Sequence, residues 1–146
     1  MNIQTFISKL NDLVAEHDYH LWFGTKNSYN HKRTINDKTI ILEPFEVRPT
    51  RTNKCYYITT ISLWIGSRRN MGDELTDPSS GQVTSLLQTL INDATSILNS
   101  MNDSDFITIT RKIENISMRY YETDSAPTTN NQAFLNINNL PVQIWI

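Results

Sequence analysis

Two stretches of the chain repeat apolar side chains every three or four residues, the spacing of an amphipathic helix. The first covers residues 2–17, and the second begins after a cap at Ser79 or Ser80 and extends to about Ser100. The apolar stripe of the second helix consists of Val83, Leu86, Leu87, Leu90, Ile91, Ala94, Ile97, Leu98 and Met101. A helix with one apolar side must bury it, so we expect this helix to pack on a sheet.

The other apolar segments are rich in β-branched and aromatic residues, as β-strands are. They cover residues 17–23, 39–47, 54–65, 106–121 and 133–146. We predict that 39–47 and 54–65 pair as a long hairpin, with Pro44 at an edge or a bulge because it lacks an N–H. Segment 54–65 is apolar on both faces, which predicts a central strand or a subunit contact. In each of the last two strands the alternation slips by one residue, which predicts a bulge.

Helices that pack around a mostly antiparallel sheet define the α+β class, and 146 residues are enough for a single domain, 1–146. Thirteen basic and 15 acidic residues give a net charge of -2. This near balance disfavours a protein whose whole surface follows nucleic acid. The lone Cys55 excludes a disulfide framework within the chain and a multi-cysteine zinc site. No apolar run reaches about 18 residues, so we expect no contact with a membrane.

One short segment carries acid, base and metal-ligand side chains. It is EHDYH, with Glu16, His17, Asp18 and His20. Because the first helix is predicted to stop there, a helix C-terminus with polar turn residues explains the segment better than a metal or hydrolase site does. Cys55 beside Lys54 has no base assigned to it and is interpreted as inert. The sequence therefore predicts no catalysis, no cofactor and no metal.

Basic side chains are concentrated between residues 24 and 54. They are Lys26, Lys32, Arg33, Lys38, Arg48, Arg51 and Lys54. Three interpretations stay open: lysines that keep a sheet edge soluble, a surface for an acidic protein partner, or a groove that contacts a nucleic-acid backbone without reading its sequence. The last is the main alternative function, a small nucleic-acid-associated protein that uses residues 24–54.

The chain has more large aromatic residues than one layer of helices on a sheet requires. The surplus comprises Trp22, Tyr56, Trp64, Tyr120, Tyr121 and Trp145. Aromatic side chains with arginines nearby are typical of the centres of protein interfaces. A further helix on the second sheet face would account for them equally well.

The order of the elements, with the phrases LLQTLINDATSILNSM, DFITITRKIENISMRYYETDS and the final VQIWI, resembles the tail-terminator and tail-completion proteins of bacteriophages. The resemblance implies a tail-terminator-like α+β subunit in a homo-oligomeric ring, a hexamer or a dodecamer, at the head-tail connector or tail. Such a neck ring seals or extends the DNA conduit. The resemblance thus implies a structural virion protein that is assembled in the host cytoplasm.

The resemblance also implies partners above and below the ring, among them connector, portal-associated and tail proteins. Loops 24–38 and 66–78 would then meet a stacked ring or DNA in the lumen. Opposite charges in the second loop, Arg68 and Arg69 against Asp73 and Glu74, would pair between neighbours. With them we assign Tyr56, Trp64, Tyr120, Tyr121 and Trp145 to the ring or partner interface. Contacts with DNA or a partner through basic loops would use Lys26, Lys32, Arg33, Lys38, Arg48 and Arg51.

Overall fold

The computed structural model of the protein describes residues 3–25, 28, 38–49, 56–68, 82–122 and 132–145. Within these ranges the chain forms two α-helices, seven strands and one 3-10 turn. In chain order they are α1 (Ile3–Ala15), β1 (His20–Phe23), β2 (Lys38–Leu42), β3 (Arg48–Pro49), β4 (Tyr56–Arg68), α2 (Gln82–Asp103), β5 (Ile107–Ile109), the 3-10 turn (Ile113–Asn115), β6 (Arg119–Glu122) and β7 (Gln132–Trp145). Neither described helix is long and apolar enough to cross a membrane.

The described strands form one sheet in the order β1-β2-β4-β7-β5. β3 pairs with β4 on the same edge as β2, and β6 pairs with β7 on the same edge as β5. Only β1 and β2 run parallel, and every other described pair is antiparallel. The predicted α+β class with a mostly antiparallel sheet is confirmed, as are the pairing of segments 39–47 and 54–65 and the central place of the latter.

The longest pairing joins β4 to β7 and contains the bulge predicted for the last strand. The register runs from Tyr56 opposite Trp145 to Arg68 opposite Gln132. Ile61 pairs with Leu140 but Leu63 pairs with Ile137, so β7 has one residue more than β4 in this interval. Side chains alternate between sheet faces, so three residues from Leu140 to Ile137 would normally put these two side chains on opposite faces. The extra residue at the bulge keeps both on the core face.

Both helices pack on one face of the sheet and enclose the main core. In β4 this face carries Ile61, Leu63 and Ile65, each at most 1% exposed. The helix side chains that meet the sheet include Phe6, Leu10, Leu90, Ala94, Ile97, Leu98 and Met101. The predicted packing of the second helix on a sheet is therefore confirmed. The proposed caps Ser79 and Ser80 lie outside the described residues.

The prediction of one bulged strand over residues 106–121 is wrong. The segment contains β5, the 3-10 turn and β6, and the two strands pair with different parts of β7. The Asn102 side chain accepts a hydrogen bond from the Ile109 backbone N–H at 2.7 Å, next to the end of β5. Ile113, Ile116 and Met118 then pack against the main core outside any strand. The change of apolar phase marks this departure from the sheet.

The first hairpin strand is shorter than predicted, because β2 ends at Leu42, two residues before Pro44. Residues 43–47 are irregular, and pairing with β4 resumes at β3. The interrupted stretch stays attached to β4 through the Glu43 N–H, which donates to the Ser62 carbonyl at 3.1 Å, and through the Thr59 hydroxyl, which donates to the Glu46 carbonyl. Pro44 thus lies at a break in the ladder, where its missing N–H costs no strand hydrogen bond.

Gly66 occupies a position in β4 that has no room for a side chain. A Cβ atom there would lie 2.9 Å from Phe134 Cζ and closer still to two other atoms of that ring. Phe134 is fully buried, so its ring has little space to retreat. We expect Gly66→Ala to lower the free energy of unfolding by about 1–3 kcal/mol. Urea denaturation measures this, and Gly66→Ala with Phe134→Leu should lose less than the two single changes together. Additive losses would contradict the contact.

Asn139 at the β7 bulge has a φ of 55°, in the left-handed region that asparagine and glycine tolerate. Its N–H donates to the Ser62 hydroxyl at 3.2 Å, while that hydroxyl donates to the Asn138 side chain at 2.8 Å. Valine at position 139 would keep the backbone N–H, but a β-branched residue disfavours the left-handed φ. We expect Asn139→Val to cost about 1–2 kcal/mol in urea denaturation and Asn139→Gly to cost much less. Equal losses would show that the bulge does not depend on this backbone conformation.

Candidate interface on the outer sheet face

The sheet face opposite the two helices, here named the outer face, carries its own apolar cluster. In β4 it contains every second residue out of phase with the core, including Thr60, Ser62 and Trp64. Ile41 and Phe134 are fully buried there, with Trp22 and Trp64 packed against them. No residue of either described helix belongs to this cluster. The outer face is therefore built by strand side chains rather than by the helix layer.

Trp64 is the centre of this cluster. Its ring centroid lies 5.2 Å from that of Tyr121 and 6.3 Å from that of Phe134. The indole N–H donates to a Glu43 carboxylate oxygen at 3.2 Å. Arg119, exposed on β6, holds its guanidinium carbon 5.1 Å from the Tyr121 ring centroid, within cation-π range. A cation, an anion and two half-buried aromatic rings thus meet within one patch.

The opposite end of the outer face has a second aromatic position. Trp145 is half-buried, and its indole N–H donates to the Thr108 hydroxyl at 3.0 Å. Tyr56 lies opposite Trp145 in the register, eight residues from Trp64 along β4. At about 3.3 Å per residue the two aromatic ends are roughly 26 Å apart. The outer face therefore spans most of the long β4–β7 pair.

A polar groove of about 500 Å³ opens between the two aromatic ends. Its walls come from the irregular segment 43–47, from β4 and from the β7 bulge. Arg48 and Glu46 are exposed at its margin, with Ser62 and Asn139 across from them. Aromatic ends around a polar centre give a mixed surface of the composition found in protein interfaces.

The predicted interface residues divide between the two faces. Trp64 and Tyr121 are in contact on the outer face, and Trp145 lies at its other end. Tyr120 lies on the helix side instead and packs against the main core. The β4 backbone ends at Arg68, whose side chain is outside the described set, as are Arg69, Asp73 and Glu74.

Among the predicted basic residues, the structure gives side-chain positions for Lys38 and Arg48. Lys38 Nζ is 3.9 Å from an Asp93 carboxylate oxygen and lies 5.5 Å from the Tyr19 ring centroid. Arg48 is exposed on β3 beside the polar groove. The others, Lys26, Lys32, Arg33, Arg51 and Lys54, lie outside the described residues, as does Cys55.

The EHDYH residues are turned in different directions by the end of α1. The His17 Nε2 atom is 2.9 Å from the Ser100 hydroxyl, which links the helix end to α2. Asp18 adopts a left-handed φ of 64°, and Glu16 and His20 are exposed. Within the described ranges, no three His, Cys, Asp or Glu side chains come together in a form that could hold a metal ion.

Two contacts important for these surfaces were missed by sequence reasoning. Arg119 and Tyr121 are two residues apart, so within one strand they share a face. Their contact was not predicted, because the segment was assigned as one long strand with a bulge. The bond from the Tyr19 hydroxyl to Asp93, 2.7 Å long, joins residues 74 positions apart. No local pattern identifies a partner at that separation.

No protein-family model matches this chain, and a search of curated proteins finds no significant match.

Tyr19 ties the start of the sheet to α2, and its hydroxyl is expected to make stability depend on alkaline pH. Burial of the side chain, reinforced by the hydrogen bond and the negative charge of Asp93, raises the pKa of Tyr19. In the unfolded chain the hydroxyl titrates near pH 10. Above about pH 10 the unfolded state releases this proton while the folded state keeps it, so stability falls as pH rises.

We expect Tyr19→Phe to cost about 1 kcal/mol at pH 7, through loss of one hydrogen bond, and to lose less stability than the native chain between about pH 9.5 and 11.5. Denaturation curves across this interval measure both effects. Tyr121→Phe, which removes a hydroxyl from the outer face, is the matched control. Parallel pH profiles for the native chain and Tyr19→Phe would contradict the assignment.

Proposed function

We propose that this protein is a structural subunit of a bacteriophage neck or tail that closes into a ring with copies of itself. The observation that carries the proposal is the outer face, where aromatic and charged side chains form a second cluster apart from the helix-covered core. A subunit that acted alone would need only the helix-covered core. The outer face gives an assembling subunit an adhesive surface without taking residues from its own core.

The geometry of a closed ring favours such a division of surfaces. A cyclic ring joins identical subunits through heterologous contacts, so each subunit needs two different complementary surfaces. One of these is the outer face with Trp64 and Tyr121. The other lies on the helix side, where the C-terminal ends of α1 and α2 meet at His17 and Ser100. Each surface has its own side chains, because the sheet separates them.

The placement in a phage neck or tail rests on the resemblance of the element order to tail-terminator and tail-completion proteins. The α+β architecture, with two helices on one side of a long antiparallel sheet, is compatible with it. In this role the ring has six or twelve copies, stacks on a connector, portal-associated or tail protein, and surrounds the DNA conduit of the virion. Its mechanism is assembly, with no chemical step.

We expect the purified chain to form a closed species of six or twelve copies, measured by native mass spectrometry and sedimentation velocity. Thr60→Arg places a long cation at an exposed outer-face position and should dissociate this species, because a charge at the centre of an interface is costly to desolvate. Ser85→Arg, at an exposed position near the start of α2 and away from both surfaces, is the matched control and should leave assembly intact.

Circular dichroism and thermal unfolding should show that both variants remain folded, since neither residue is in the core. A native chain that stays monomeric at every concentration would contradict the proposed function. Assembly that survives Thr60→Arg unchanged would contradict the use of the outer face.

A further inference from the structure

We infer that the outer-face edge formed by Arg119 and Tyr121 docks into the groove between α1 and the end of α2 on a second copy of this chain. The inference rests on the proposed function, because it names the two surfaces that meet between neighbouring ring subunits. The contact is heterologous: a basic and aromatic edge of one copy meets an acidic and apolar groove of the next.

Arg119 is positioned to act as the anchor of this edge. The side chain is exposed, yet its guanidinium is held over the Tyr121 ring, which in turn packs against Trp64. Arg119 forms no salt bridge with any other residue that the structure describes. Stacking on an aromatic face leaves the N–H donors at the rim of the guanidinium available for a carboxylate. The stacking also lowers the entropy lost when this side chain is fixed in a complex.

The groove on the helix side has the complementary composition. Its volume is about 440 Å³, and the buried side chains of Leu13 and Phe106 contribute its apolar lining. Four exposed acidic residues surround it: Asp12, Glu16, Asp103 and Asp105. Lys9 is the one cation among the lining residues, and its ammonium lies 5.8 Å from the Phe106 ring centroid. The lining has four carboxylates against one ammonium, a surplus of three negative charges.

The two surfaces are too far apart to neutralise each other within one molecule. Arg119 pairs with Asn136 of β7, while Ile107, two residues beyond Asp105, pairs with Ile144. These β7 positions are eight residues apart, which corresponds to roughly 26 Å along the strand. Salt screens exposed charges beyond about 8–10 Å, so the attraction between them becomes effective only across a contact between copies.

The chemistry of the contact explains why both the charge and the ring belong to it. A guanidinium binds a carboxylate through two parallel N–H bonds, which fixes orientation as well as attraction. The adjacent tyrosine ring meets the apolar lining of the groove, and rings supply a large share of interface energy. Opposite charge steers the encounter and excludes wrong registers.

A charge swap on the full chain tests the inference. Arg119→Glu should raise the protein concentration needed for half-assembly by about tenfold or more, as should the pair Asp103→Arg with Asp105→Arg. The triple variant that combines all three changes should recover most of the lost assembly, because the opposite charges are restored with the sign exchanged. Ser85→Glu and the pair Ser85→Arg with Thr89→Arg, at exposed positions near the start of α2 and away from both surfaces, are the matched controls and should change assembly much less. Sedimentation velocity at fixed salt measures each variant.

The outcomes separate this inference from the proposed function. If the native chain assembles but Arg119→Glu assembles equally well, the docking contact is wrong and the ring proposal stands. If the single and paired reversals both weaken assembly without rescue in the triple variant, the two surfaces do not meet each other. A native chain that never assembles overturns both the ring and the contact. Thermal unfolding of each variant checks that the subunit itself remains folded.

Discussion

The pairing of β4 with β7 is the constraint on which the rest of the structure depends. These strands are the longest in the described part of the chain, and every other described strand except β1 pairs with one of them. The bulge at Asn138 and Asn139 keeps this long pairing in phase. Without the extra residue, the apolar positions on one side of the break would turn away from the helices. Leu135 and Leu140 face the same core because β7 has one extra residue between them at the bulge.

A sheet held in phase over this length has two distinct faces with different tasks. One face is mainly aliphatic and is covered by α1 and α2. The other combines aromatic rings, one cation-π pair and a polar centre, a composition suited to contact with another protein. Gly66 and Phe134 show how closely the second face is packed, since the ring occupies the space that a Cβ atom would need. The two faces use different side chains, so a contact through the outer face would not require the core to rearrange.

Sequence patterns predicted the parts of the fold that are set by local periodicity. Both helices, the pairing of β2 with β4 and the bulge of β7 follow from apolar spacing. The same reasoning failed at residues 106–121, where Asn102 binds the Ile109 N–H and the chain leaves the sheet. A phase change in a strand has two physical causes, a bulge or a departure, and only tertiary contacts distinguish them. The aromatic surplus grouped Trp64, Tyr120 and Tyr121, but the structure brings only Trp64 and Tyr121 together on the outer face. Tyr120 lies on the core side, which the sequence could not predict because the strand register is set by tertiary contacts.

The central claim is that the outer face is buried between identical copies in a closed ring. Electron microscopy of the purified assembly tests it most directly, because a map shows both the copy number and the face at each contact. The account predicts six or twelve subunits in a closed ring, with Trp64 and Tyr121 covered by the neighbouring subunit. An open or monomeric particle, or a ring whose subunits leave these two rings facing solvent, would contradict it.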